Sequence, residues 1–294
     1  MSLADRDYQD WVRALRASHE RLDTVVRRLD AESLVQGSYC DEWSIAQVLS
    51  HLGSGAEIMM LMIDVALGGP PTPNEAREEI WAQWNAKDAQ QQAADYQVAD
   101  ERLLNRLESL APEELKTFQV ELGPWKLSAA ELVGMRLSEH ALHTWDIQVS
   151  LDPDATLPRD ACELLLTRLP WMAGIAGKPD RWRGDPVRIG VRLTDREGQL
   201  LLEIGEKLQL TVSGAAEDGS AAGGSAGTVR EESGAEPAER PLGDGGGVDA
   251  EMEIPAEALI RLVYGRLDSE NTPESVSVTG PVELDELRKV FPGF

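Results

Sequence analysis

The chain has 294 residues, of which 42% are hydrophobic and 27% charged, the composition of a globular protein with room for two domains. Its formal net charge of −24 repels nucleic-acid phosphates and anionic lipid headgroups, which argues against either as a partner. No uninterrupted run of 18 apolar residues predicts a membrane span, and the two cysteines, Cys40 and Cys162, form neither a disulfide framework nor a paired-cysteine metal knuckle.

In chain order, residues 5–30 place Trp11, Leu15, Leu22, Val25, Val26 and Leu29 at helical spacing, which predicts an amphipathic first helix. The beginning of the chain is polar and lacks the apolar core of a secretory signal, so a cytoplasmic protein with two free thiols is expected. After a polar loop, Ser44 and Gln47 form a capping box, with Trp43 and Val48 placed as a hydrophobic staple. The helix opened there should run to about Leu67, where GGPPTPN stops it. Residues 76–110 read as a long, mostly polar helical region, followed by a connection. A second capping box, Ser128 with Glu131, opens a further helix that carries ELVGMRLSEHALHTWDIQVSL. Four helices within residues 1–151 predict a four-helix bundle, a fold that builds metal sites from inward-facing side chains.

Beyond residue 152 the pattern changes. Residues 160–176 look helical, and VRIGVRLTD, GQLLLEIGE and KLQLTVSG read as strands joined by turns. Residues 214–247 are a Gly-, Ala-, Ser- and acid-rich tract too polar to bury itself, expected as a disordered loop. DAEMEI then reads as a strand, PAEALIRLVYGRL as a helix, SVSVTG as a strand and VELDELRKVF as a final helix. The fold class is therefore α + (α+β): a bundle over 1–151, then a small α+β domain over 152–294 with an interrupted sheet.

The chain has four histidines, His19, His51, His140 and His143. Glu139 and His143 are four apart on one helix, so their side chains stack on one face. With His51 from the other capped helix they would make a three-ligand site with an open position, the pattern of a catalytic zinc. Arg136 and Asp146 lie one turn to either side, with Asp146 placed to orient an imidazole. Other readings stand beside this one. His51 can be a hydrogen-bonded core residue, Glu139 and His143 a solvated i,i+4 pair, and His140 with His143 a competing pairing at i,i+3.

Three segments carry a family resemblance: CDEWSIAQVLSHL, RLSEHALHTWDIQ and the closing GPVELDELRKVFPGF. Together they resemble the mycothiol-dependent maleylpyruvate isomerase family, whose N-terminal half is a DinB-like metal-binding bundle. The resemblance covers nearly the whole chain, with the acidic tract as an insertion. It implies metal ligation by His51, Glu139 and His143, with His140 a neighbour; DinB-like relatives usually have histidine where this chain has Glu139. It further implies zinc or another divalent metal, mycothiol as thiol cosubstrate, and addition of that thiol to an activated cis double bond, rotation, and elimination to the trans isomer. S-transfer onto electrophiles is the other chemistry it allows. A small anionic substrate would need cations, for which Arg136 and, from the second domain, Arg188 or Arg192 are the candidates. Trp43 and Trp145 are expected in the core or along the cleft. The alternative function is a non-enzymatic DinB-like metal-binding protein, stress-related or ligand-binding.

Overall fold

The computed structural model describes residues 7–40, 42–73, 75–212 and 247–293. Residues 214–246 of the acidic tract, expected as a loop, lie outside the described residues. The chain forms two compact units, Met1–Arg168 and Leu169–Phe294.

In the first unit four long helices form the bundle: α1 (Tyr8–Val26), α3 (Ile45–Ala66), α5 (Ala89–Glu108) and α7 (Ala129–Val149), with short α2 (Ala31–Leu34) and α4 (Ala76–Asn85) between them. α1 packs on α5 and α7, and α3 packs on the same two, which closes a ring around one core. Trp11, Leu15 and Leu22 of α1, Ile45, Leu49 and Leu52 of α3, Leu103 of α5 and Leu137 of α7 are buried there. Each contributes about 1.5–3 kcal/mol of hydrophobic stabilisation. Both serine capping boxes form: the Ser44 and Ser128 hydroxyls accept from the amides of Gln47 and Glu131, whose side chains accept back from the serine amides. These caps fix where each helix starts, and hence which residues face inward.

The helical region over 76–110 is two helices, because Asp88 and Gln91 make a third capping box that starts α5 afresh. The connection that follows holds α6 (Pro112–Thr117) and a hairpin of β1 (Val120–Leu122) and β2 (Trp125–Leu127) turned at Gly123, whose φ is +57°. Trp84 of α4 is buried against α3 at Gly53, where a Cβ would stand 2.2 Å from the ring. α3 has the length and hydropathy to cross a membrane, yet half of that stretch is buried inside the protein.

α8 (Arg159–Ala176) carries the chain across the boundary between the units. The second unit holds a five-stranded sheet of order β5-β4-β3-β6-β7, formed by β3 (Val187–Leu193), β4 (Gln199–Ile204), β5 (Leu208–Val212), β6 (Ala250–Ile254) and β7 (Ser277–Thr279). The pairings are antiparallel except β3 with β6, which is parallel. Alternation on β3 turns Val187, Ile189, Val191 and Leu193 inward, as a strand period of two requires. α9 (Ala256–Val263) follows Pro255, and α10 (Leu284–Val290) is the last helix among the described residues. The fold is an N-terminal helical bundle followed by a mixed α/β unit with an open sheet.

Candidate metal centre

His51 lies two turns into α3, and Glu139 and His143 lie on successive turns of α7. Because both helices are started by their capping boxes, the three side chains arrive at one place. His51 Nε2 is 3.1 Å from Glu139 Oε2, and His143 Nε2 is 3.5 Å from the same oxygen. The two imidazole rings stand edge to face at 4.8 Å. One donor atom from each residue lies within 4.8 Å of the others. The cluster opens outward: the side chains of His51 and Glu139 are 37% and 50% exposed, while His143 is 9% exposed.

Asp146, fully buried one turn beyond His143, accepts a hydrogen bond from its Nδ1 at 2.8 Å. That bond holds a proton on Nδ1, so Nε2, which faces Glu139, is the nitrogen that would give up its proton to a metal ion and coordinate it. Burial alone would lower the His143 pKa, but hydrogen bonds to Asp146, Cys40 and Glu139 raise it well above the ordinary value. Burial likewise pushes the Glu139 carboxyl up, and hydrogen bonds from His143 and His51 reverse this and hold it well below the usual range. Among the described residues no lysine or arginine pairs with Glu139. Two imidazole nitrogens and a carboxylate oxygen with an oriented histidine are a donor set that fits a divalent ion of the zinc class.

Arg136 does not join this cluster. It is 3% exposed and turns into the bundle, where its guanidinium donates to Asp100 Oδ1 of α5 at 2.6 Å and to the Leu52 carbonyl of α3 at 2.8 Å. Asp100 Oδ2 in turn takes His19 Nδ1 of α1 at 2.7 Å and lies 3.2 Å from His140 Nε2 of α7. Tyr96 and Ser18 hydroxyls bond the two nitrogens of His140 at 2.8 and 2.9 Å. The four polar positions 136, 139, 143 and 146, expected around one cation, therefore serve two separate clusters. Neighbours 139 and 140 diverge because successive helical residues point about 100° apart. Arg192 lies in the other unit, on β3, ion-paired with Glu253 of β6 and half exposed, and Arg188 pairs with Glu203.

Sequence reasoning gave Cys40 no partner. Its Sγ lies 3.2 Å from Asp146 Oδ2 and 3.9 Å from His143 Nδ1. Nothing local could have signalled this, since 106 residues separate Cys40 from Asp146. Trp43 lies with its ring centroid 5.1 Å from that of His51 and 6.3 Å from that of His143, still 36% exposed, so it walls the cluster. Trp145 is buried and donates to the Ala155 carbonyl.

Residues 15–148, which contain α3, all but the last residue of α7 and the whole trio, match the family model of the mycothiol maleylpyruvate isomerase N-terminal domain. That match covers 134 of the 294 residues, so the likeness to this domain family is one of the helical region. The chain's fold is also similar to the crystal structures of a mycothiol-dependent maleylpyruvate isomerase and of a histidine-to-alanine variant of that enzyme. Each comparison covers 96% of this chain and 98% of the other at 13% identity, with a TM-score of 0.63. At that identity the likeness is one of fold. No curated protein matches the chain in sequence. Likeness to an isomerase domain supports an enzymatic activity in general, and the bundle carries a candidate metal-binding triad.

Proposed function

We propose that the protein binds zinc, or another divalent metal, through His51, Glu139 and His143. It uses a low-molecular-weight thiol, mycothiol, either to isomerise a small electrophilic, anionic substrate or, as an S-transferase, to join the thiol's sulfur to that substrate. The observation that carries this is the convergence of the trio around a carboxylate that, among the described residues, no lysine or arginine neutralises. A divalent ion held by these donors would keep a bound thiol as its thiolate near neutral pH. The protein's own residues prepare the place for it. Asp146 holds the Nδ1 proton of His143 and so directs its Nε2 outward, Trp43 screens one side from water, and the exposed edges of His51 and Glu139 leave an approach. The two chemistries differ in thiol balance, since an isomerase returns the thiol and a transferase consumes it.

Metal analysis of protein purified without a histidine tag should find about one zinc per chain, following the three-ligand rule for catalytic sites. His51→Ala should lose it, and mycothiol should bind the zinc-loaded wild type and not the variant. Equal metal contents in the two proteins would sink the assignment.

A further inference from the structure

We propose that Cys40 is a positioning residue of this centre, the S–H group that holds the Asp146 carboxylate against His143. The proposal rests on the reading of His143 as a metal ligand. Asp146 Oδ2 receives two groups at once, the Cys40 thiol at 3.2 Å and His143 Nδ1 at 2.8 Å. A carboxylate oxygen has two lone pairs, so it accepts both without competition. Asp146 is fully buried, so bulk water does not replace a donor lost there. The thiol faces the Nδ1 edge of the ring, and Nε2 is the atom near Glu139. Cys40 therefore acts through Asp146 and stays out of the donor set of His51, Glu139 and His143.

The loop that presents Cys40 is braced for the task. Gly37 and Ser44 form a β-bridge, and the Ser38 amide and hydroxyl both donate to the Trp43 carbonyl, at 2.9 and 2.8 Å. The Cys40 amide donates to Ser38 Oγ at 3.1 Å, and the Trp43 amide to the Cys40 carbonyl at 2.7 Å. The loop is then tied to α7 at the residue that matters: the Tyr39 amide donates to the Asp146 carbonyl at 3.1 Å, and the Tyr39 ring meets Trp145 edge-on at 4.8 Å. One short loop thus grips Asp146 by its backbone through residue 39 and by its side chain through residue 40. The same loop ends on Trp43 and the Ser44 cap of the helix that carries His51. The placement of both histidines consequently depends on it.

Residues that orient a metal-bound histidine are commonly worth 10–100-fold in metal affinity, and one acting through a second residue should lie at the lower end. Zinc affinity can be measured by competition with a chromophoric chelator for wild type, Cys40→Ala, Cys40→Ser and Cys162→Ala. Cys40→Ala should bind about 10-fold more weakly. Cys40→Ser, whose hydroxyl also donates, should recover most of that loss, and Cys162→Ala, at a buried site on α8, should match wild type. Wild-type affinity in Cys40→Ala overturns the proposal. So does a thiolate-to-cobalt charge-transfer absorption in the cobalt-loaded protein without added thiol, if Cys40→Ser abolishes it, because Cys40 would then be a ligand. A further readout needs no metal. Iodoacetamide should modify Cys40 several-fold faster in metal-free Asp146→Asn than in metal-free wild type, because the carboxylate that holds the thiol is gone. Equal rates would remove the contact and the proposal with it. Absence of stoichiometric zinc from wild type would instead defeat the metal reading while the alkylation result stands on its own.

Discussion

The bundle contains two clusters of the same composition, a carboxylate between two histidines, and they differ in what neutralises the carboxylate. In the His19–Asp100–His140 cluster all three residues are buried, and the Arg136 guanidinium pairs with Asp100 directly. In the His51–Glu139–His143 cluster the carboxylate is half exposed and, among the described residues, no arginine or lysine pairs with it. A cation added to the first would meet a fixed positive charge and would have to leave solvent completely. A cation added to the second would supply the charge the cluster lacks and keep contact with water. Donor type alone does not make a metal site; the unmet charge and the open side do.

The strongest way to break this contrast is to remove the built-in cation. Arg136→Ala leaves Asp100 buried without its partner and should cost about 3–5 kcal/mol in chemical denaturation. Zinc stoichiometry should be unchanged under conditions where the variant is folded. Loss of zinc alongside a small stability change would mean that Arg136 serves the trio after all.

The second comparison uses the metal. At 100 times its dissociation constant, zinc should stabilise wild type by about 2.7 kcal/mol. Glu139→Gln should lose that gain, and His19→Gln should retain it, as read from thermal melts with and without a chelator. A gain that His19→Gln abolishes would place the ion in the wrong cluster.

The two clusters should also answer pH with opposite sign. Burial lowers the His140 pKa from its ordinary 6.5, with Asp100 opposing, so His140 is neutral in the fold. Its contribution is present above 6.5 and lost as the pH falls through that value toward the depressed one. In metal-free protein the His143 pKa is raised well above 6.5. Its contribution is complete below 6.5 and disappears as the pH climbs through the raised value. Raising the pH of metal-free protein should therefore narrow the stability gap between wild type and His143→Gln. The gap to His140→Gln should widen over the same change. Parallel trends would refute the distinction. Zinc affinity should fall with acidification, since protons compete for the same Nε2.

The smallest test is Tyr96→Phe, which removes one hydroxyl from His140. About 1 kcal/mol of stability should go, with zinc affinity unaltered.

Much of the fold is legible in the sequence because its signals are local. The serine capping boxes announce the starts of α3 and α7, and alternating apolar residues announce β3, β4 and β5. The break before α5 is equally local, but its capping residue is Asp88, and the polar run on both sides hides it. The hairpin of β1 and β2 is missed because three-residue strands carry too little alternation to register. Phase counted from the two capped helix starts makes the trio a candidate but leaves His140 with His143 as a rival pairing, and only the family resemblance favours Glu139. Asp100 is invisible as the partner of Arg136, since a lone acid on a mostly polar helix looks like any solvated residue. Polar groups inside a bundle look like surface groups until the opposite helix is in place. Cys40 escapes notice for a related reason: its meaning depends on Asp146 across the fold.

Both clusters hang on α7, whose residues 139 and 140 serve different ones, and 16 of its 21 residues are buried. Adding or deleting one residue in the first half of this helix would turn residues 136–149 by about 100° relative to its start. Glu139 and His140 would leave their clusters together, and Arg136 would lose Asp100. Length variation in this protein can therefore accumulate in its loops and in the tract between β5 and β6, while α7 must keep its residue count even where its identities drift.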